Sequence, residues 1–597
     1  MNRDADTSAT AEGVEARPAT GEGRLDPILF AVLSGRVKAI AEQMAVSVMY
    51  SARSPLLVEA RDFAVGVYDA DGLAIQQIAY MPQLGFAIGP SVRAIVEKFG
   101  DDVHEGDVFM HNDIFTGGNQ LGDVKVARPV FLGGELIAWV AISAHQLDTG
   151  GPVASGFNPY ASEIWQEALR ITPVRIHHRG RLLKDVWDLI FANIRLPVVA
   201  KDIEAAIGGC VVGDRELVRI ASKYGAPTIR AWMEDTLEMA ERLVREEIRR
   251  MPQGVFHGSA EAVYDGIRAG SKMAVEVDIV VEEDRMILDF AGSAPQTPGY
   301  VNSPLTTTTA SAMLALAMIF GDEVPRSDGV LRAVELRIPR GSFLNPEFPA
   351  ASTYGNHLSQ HIFSAIMQAF QKIRPEDASA DWTPARTAVI VYKDPSSGLP
   401  KVCLPTYLHK GGAGALMGCD GHDHVGIIES GGVLATTDPE MVELQHPHLI
   451  RRFELNEDSC GHGRWRGGLG HSSEMELLWA PQFMSFYGDG EGEGTFASGI
   501  LGGTDGKRNK LELEYPDGRA FEPLGKSIVR DIPAGTIYRQ IRGGGGGCGD
   551  PRERDPELVV RDAVNGFISE ETARAVYGVE DVPSVAEYHR RTKRPSG

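Results

Sequence analysis

The stretch GDVFMHNDIFTGGNQLGDVKVARPVF, residues 106–131, sets the reading of the chain. It starts with strand-forming residues at 108–110, passes through Gly117-Gly118, and returns as an apolar strand at 124–131. Gly133-Gly134 then turns the chain into a third strand, 136–143, that runs on to His145. Three strands joined by short turns predict an antiparallel sheet. His111, Asp113, Gln120, Asp123, His145 and Asp148 all fall at or near strand ends, where a rigid scaffold aims side chains well.

Working outward, Asp26-Pro27 reads as a helix cap and first helical residue. Leu33, Val37, Ile40, Met44 and Val48 follow at helical spacing, predicting one long helix over about 28–50. DFAVGVYDADGLAIQQ alternates around Asp71-Gly72 as a hairpin, and GPSVRAIVEKFG reads as a helix closed by Gly100. Residues 183–250 are mainly helical. Strands and hairpins dominate from about 255, with helices at TASAMLALAMIF and SQHIFSAIMQAF. Beyond about 375 the chain is rich in Gly and Asp with short strands, and Asp555-Pro556 opens a terminal helix that Asn565-Gly566 stops.

Helical and strand blocks alternate without a regular βαβ beat, so the expected class is α+β, multidomain, with mixed sheets and flanking helices. The expected division is a polar, disordered tail at 1–24 and an N-terminal α+β domain at 25–250 that carries the catalytic or metal site. A central α+β domain at 251–375, a β-rich, Gly-rich domain at 376–550 and a helical tail at 551–597 follow.

The net charge of −22, with no basic run to reverse it locally, disfavours nucleic acid as a partner. No stretch of about 18 uncharged apolar residues is present, and the first residues lack an apolar signal core, so the expectation is a cytoplasmic protein without membrane contact. The five cysteines are scattered with no CxxC pair, which suggests neither a disulfide framework nor a thiolate zinc site.

Gln120, Asp123, His145 and Asp148 come from adjacent turns and would form a mixed nitrogen and oxygen pocket for a divalent metal. The same residue types in Gly-rich turns also cap their own backbone, and both readings stay open. In Glu59-Ala60-Arg61-Asp62-Phe63, Glu59 is a candidate general base and Asp62 a group that orients Arg61, a buried ion pair being the alternative. Asn356 and Gln360, at a helix start beside His357 and His361, offer amide contacts to a polar substrate or cap the helix. IRGGGGGCGDP invites a phosphate-loop reading, but the Gly-Lys-Ser/Thr that completes such a loop is missing and a tight turn is the alternative. The pairs His422/His424 and His446/His448 each lack a third ligand at readable spacing.

Taken together, EARDFAVGVYDADG, GDVFMHNDIFTGGNQLGDV, AHQLDTGG, SEIWQEALRITPVRI, LLKDVWDLIFANIRLP, RFELNEDSCGHGRWRGGLG and the GGGGGCGDPRERDPELVV tail resemble the hydantoinase B/oxoprolinase family. The resemblance runs in order over nearly the whole chain. It implies a B-type subunit that works with a hydantoinase A-type, kinase-like partner in a hetero-oligomer. That partner uses ATP to phosphorylate the carbonyl oxygen of a cyclic amide such as a hydantoin, oxoproline or a lactam, which this subunit then hydrolyses. A subunit of an acetone/acetophenone-type ketone carboxylase and a non-catalytic partner are the alternatives.

The family segment commonly reads G-G-T-H-L-x-D, with that histidine and aspartate and a histidine of the next strand associated with a metal. Here Asp123 and His145 match, but Gln120 and Gln146 stand where histidines are expected, and Glu59 takes an acidic position near the metal. An oxygen-rich site would suit Mn²⁺ or Mg²⁺ more than Zn²⁺. Glu59, Asp62, Asp123 and His145 are the expected catalytic residues.

Overall fold

Asp26 accepts hydrogen bonds from the N–H groups of Ile28 and Leu29 at 2.9 and 3.2 Å, and Pro27 fixes the first turn. The helix Pro27–Ser51 therefore starts where the sequence places it. The computed structural model describes residues 24–268, 270–492 and 496–592. Apart from Arg24, the polar tail expected at 1–24 lies outside the described residues.

The chain next forms a seven-stranded sheet from β1 (Phe63–Tyr68), β2 (Ala74–Ala79), β3 (Val108–His111), β4 (Asp123–Leu132), β5 (Glu135–His145), β6 (Val174–His178) and β7 (Arg181–Leu182). Their spatial order is β2-β1-β5-β4-β3-β6-β7. Alternation sorts the side chains between two faces. Val65, Val67, Val126, Val140 and Ile142 meet the helices Pro27–Ser51 and Val198–Tyr224 on one side. Ala64, Tyr68, Phe109, Ala127 and Trp139 meet the helix Ile88–Phe99 on the other. Helix Val198–Tyr224 lies close because of its glycines: a Cβ on Gly213 would come within 2.5 Å of the Met44 sulfur.

Downstream, a four-stranded sheet is built on the long hairpin Gly254–Val263 and Lys272–Val281. Helices Leu305–Phe320 and Ser359–Ile373 pack together beside it. A four-stranded and a five-stranded sheet follow, the first centred on Arg386–Lys393 and Phe483–Gly488, the second on His471–Leu477 and Thr536–Ile541. Nearly all pairings are antiparallel, Met286–Asp289 with Val334–Arg337 being a parallel one. The fold is α+β, with several sheets flanked by helices.

The glycine run at 543–547 is neither a phosphate loop nor a simple turn. Its N–H groups donate, in order, to the Asn509 side chain and to the carbonyls of Ser459, Gly468, Asp381 and Thr504, all at 2.8–3.0 Å. None is left for an anion. A Cβ on Gly545 would sit 1.9 Å from the Ala413 carbonyl, and one on Gly546 2.1 Å from that of Ser498. Backbone packs here directly on backbone, so glycine is needed for close approach. Among the described residues, no helix is long and apolar enough to cross a membrane.

Candidate active site

The antiparallel order β1-β5-β4 puts the start of β1, the end of β5 and the start of β4 on one edge of the sheet. Asp123 and His145 face each other as cross-strand partners, and the His145 N–H donates to the Asp62 carbonyl at 3.1 Å. Asp62, Asp123 and His145 consequently converge, although 83 positions separate the outer two in sequence numbering (145 minus 62).

His145 Nδ1 lies 2.6 Å from Asp123 Oδ1. Asn119 Nδ2 donates to Asp123 Oδ2, and Asn119 Oδ1 in turn accepts from Lys125 Nζ. Lys125 Nζ also donates to the Asp123 carbonyl at 3.0 Å. Gly122 lets the imidazole lie flat, since a Cβ there would come 2.8 Å from His145 Cε1.

Burial shapes the charges of this cluster. Burial penalises the Asp123 carboxylate, but the His145 hydrogen bond, the charges of His145 and Lys125 and the Asn119 hydrogen bond together hold it below the usual carboxylate range. Burial works against the His145 cation, and the hydrogen bond and charge of Asp123, with Asp62, outweigh it and raise His145 above an ordinary histidine. Burial pushes Asp62 up to about 6, with His145 and His357 opposing and Asp123 assisting. Lys125, fully enclosed, falls to about 8, the Asp123 charge opposing the drop.

These groups open onto a cavity of about 40 Å³. The C-terminal half closes it with His357, Thr406, His409 and Tyr487, and Gln120, Asn356 and Phe157 complete the polar and aromatic wall. The volume suits on the order of one to three waters and is far below the roughly 300 Å³ of a ligand pocket. A larger pocket of about 380 Å³, lined by Leu56, Leu147, Lys401, Gln445 and His446 among others, shares the wall residues Leu404 and Thr406 with it.

Several residues singled out in the sequence go elsewhere. Glu59 does not line the cavity: its Oε1 accepts from Gln445 Nε2 at 2.9 Å, on the side of the larger pocket. The carboxylate beside His145 is Asp62, which does not orient Arg61. Arg61 is exposed, with its guanidinium over the Tyr80 ring at 5.6 Å. Asp148 is spent on Arg195, whose backbone N–H and Nη1 donate at 2.9 and 3.0 Å. Asp113 receives two hydrogen bonds from Arg170, and His111 Nε2 pairs with Thr116. Asn356 reaches the cavity wall and accepts from Asn119, whereas Gln360 bonds Ser364 along its own helix. His424 packs against His471, and His446 stacks on His448.

This placement does not fit the four-ligand metal site expected from the sequence. Gln120 lines the cavity with its amide nitrogen held by the Thr353 carbonyl at 2.9 Å, and Asp148 is saturated, which leaves Asp123 and His145 bonded to each other. Catalytic metal sites use about three protein ligands. Among the described residues, no group of three or more His, Cys, Asp or Glu side chains is arranged to hold a metal.

The sequence reading gave no role to His409, Glu429 or Tyr487. They lie in segments without a motif, and only tertiary packing brings His409 and Tyr487 to the cavity and Glu429 to His357. His357 was visible only as a neighbour of Asn356.

The family model for hydantoinase B/oxoprolinase matches residues 26–551. The caprolactamase beta subunit of Pseudomonas jessenii is 31% identical over 565 residues, covering 93% of this chain and 96% of that one. A protein of Pseudomonas sp. (strain NS671), named as the B component of a D-/L-hydantoinase, is 28% identical over 93% of this chain and 95% of its own length. The crystal structure of the ATP-dependent caprolactamase from Pseudomonas jessenii superposes with a TM-score of 0.86 at 29% identity, over 95% of this chain and 99% of that chain.

Proposed function

This chain belongs to the hydantoinase B/oxoprolinase family, and from that premise we propose that it is the B-type subunit of an ATP-dependent cyclic-amide hydrolase. The observation that carries the reading is the Asp123–His145 pair on a water-sized buried cavity, in a fold shared along its length with a caprolactamase. Relatives named as subunits support a hetero-oligomer, and a kinase-like A-type subunit is the partner that would use ATP.

An amide carbonyl resists water because its resonance must be broken. Phosphorylating the oxygen in the partner removes that protection and makes the ring carbon electrophilic. Asp123 holds the Nδ1 proton of neutral His145, so Nε2 keeps its lone pair and acts as general base toward a water in the cavity. Asn119 and Lys125 keep Asp123 ionised in that role. Water bonds to the carbon, the carbon–nitrogen bond breaks with its electron pair going to nitrogen, and the resulting acyl phosphate is cleaved by a second water. No step is assigned to a metal, because the donor set does not fit one.

The cavity is sized for water and not for a ring, so substrate would reach it from the larger pocket behind Leu404 and Thr406, with local opening. The test is reconstitution with the A-type subunit. ATP turnover stimulated by a hydantoin, oxoproline or a lactam, and lost in His145→Ala, supports the reading. Turnover that requires a ketone and bicarbonate instead defeats it.

A further inference from the structure

The larger pocket, which shares Leu404 and Thr406 with the cavity beside His145, lies where the N-terminal part of the chain meets the later strands. Leu56 and Leu147 come from one side, Val402, Val442 and Leu444 from the other. Such a junction is a usual place for a ligand, and its volume of about 380 Å³ falls within the range of small-ligand pockets. These aliphatic side chains suit the methylene part of a small ring.

Lys401 supplies the charge in this wall. It stands in the edge strand Pro400–Cys403 and is half-buried. Among the described residues its ammonium has neither a hydrogen-bond acceptor nor a carboxylate within 4.0 Å, although the chain carries a net charge of −22. The other polar groups of the wall leave that charge unanswered. Thr406 and Thr437 bond to each other through their hydroxyls at 2.7 Å. Gln445 turns its amide nitrogen to Glu59, whose carboxylate does not itself line the pocket. Burial, and after it the Lys401 charge, push His446 down to about 4, so it is a neutral imidazole at neutral pH, with a buried Nδ1 that has no partner. A partly desolvated ammonium without a counter-charge is stabilised by an anion placed beside it.

We propose that this pocket selects cyclic amides that carry a carboxylate on the ring, and that Lys401 is the residue that recognises the carboxylate. This rests on the hydrolase reading above. The aliphatic wall covers the ring's methylenes, and the amide end points past Leu404 and Thr406 toward His145. The other anion at hand, the phosphoryl group, matches Lys401 less well. It rides on the amide oxygen and travels with it to the His145 end, whereas Lys401 lies three residues before Leu404 (404 minus 401), about 10 Å back along an extended chain. A carboxylate on a ring carbon beyond the amide can face that way. His446 then adds a hydrogen-bonding neighbour without a competing charge.

The matched probes are 5-oxoproline and 2-pyrrolidinone, the same ring with and without the carboxylate. They are assayed on the complex of this chain with its A-type subunit. The wild type is expected to favour 5-oxoproline in kcat/KM, and Lys401→Met to reduce that preference about 10- to 100-fold, chiefly through KM, because a charge-assisted hydrogen bond to bound substrate is lost. Lys401→Arg keeps the charge and should restore most of the preference. A wild type that turns over 2-pyrrolidinone at least as well, a preference unchanged in Lys401→Met, or equal losses on both rings, which would assign Lys401 to the phosphoryl group, overturns the proposal and leaves the hydrolase reading standing. Wild-type turnover of a ketone with bicarbonate and of no cyclic amide overturns both. Should Lys401→Met fail to fold, Lys401→Gln carries the comparison.

Discussion

Replacing Asp62 by asparagine should stabilise this protein while removing a group from the proposed reaction centre. Burial raises the Asp62 carboxyl from 3.8 to about 6, so the folded chain holds that proton more tightly than the unfolded one. The stability linked to the proton is fully present below pH 3.8 and is lost as pH rises through about 6. A shift of roughly two units corresponds to about 3 kcal/mol lost at pH 7.5 and about half of that at pH 5. Asp62→Asn keeps the shape and never ionises, so it should recover most of this amount, less what His145 loses with a neighbouring charge. For a cooperative unit of roughly 150–250 residues, 1 kcal/mol moves Tm by about 2–4 °C. Calorimetry of wild type and variant should show the variant ahead by about 6–12 °C at pH 7.5 and by about half as much at pH 5. A variant that melts at or below the wild type at pH 7.5, or a gap independent of pH, would refute the reasoning.

Glu59→Ala, remote from the cavity, should change kcat less than about 3-fold in the reconstituted enzyme, whereas His145→Ala should lower it about 10²–10⁴-fold; comparable losses in the two would return Glu59 to the reaction centre. Gln120→His would place a second imidazole beside Asp123 and His145, completing three ligands, so calorimetric titration with Zn²⁺ or Mn²⁺ should show a site at least about 10-fold tighter than in the wild type. Gly545→Ala forces a methyl against the Ala413 carbonyl and should cost about 3 kcal/mol or more, read as a lost or much lowered melting transition.

The sheet and the edge that brings Asp123 to His145 were legible because they rest on local patterns. Gly133-Gly134 and Asp71-Gly72 mark the turns, alternation fixes the faces, and antiparallel pairing then forces Asp123 opposite His145. The partner of that pair was harder to identify. Glu59 and Asp62 are three residues apart, and Arg61, in the left-handed region at φ 58°, changes the direction of the chain between them. No spacing rule foretells that kink for an arginine. The far wall was out of reach for another reason. His357, His409 and Tyr487, with Glu429 behind His357, are brought together by contacts between sheets and short 3₁₀ turns, and no periodicity records such contacts. Asp148 misled because a carboxylate just past a strand end looks available until its arginine, 47 residues on, is seen to claim it.

The backbone-on-backbone bundle around residues 543–547 bears on how this protein resists heat. Its donors find acceptors in segments around 381, 459, 468 and 504, tying distant stretches together while enclosing little hydrocarbon. Exposing such a region adds little to the heat capacity of unfolding, so its contribution should fade less on cooling than that of the side-chain core. Its amides should rank among the slowest to exchange with deuterium in this part of the molecule, although no large residue there could be trimmed to reveal it.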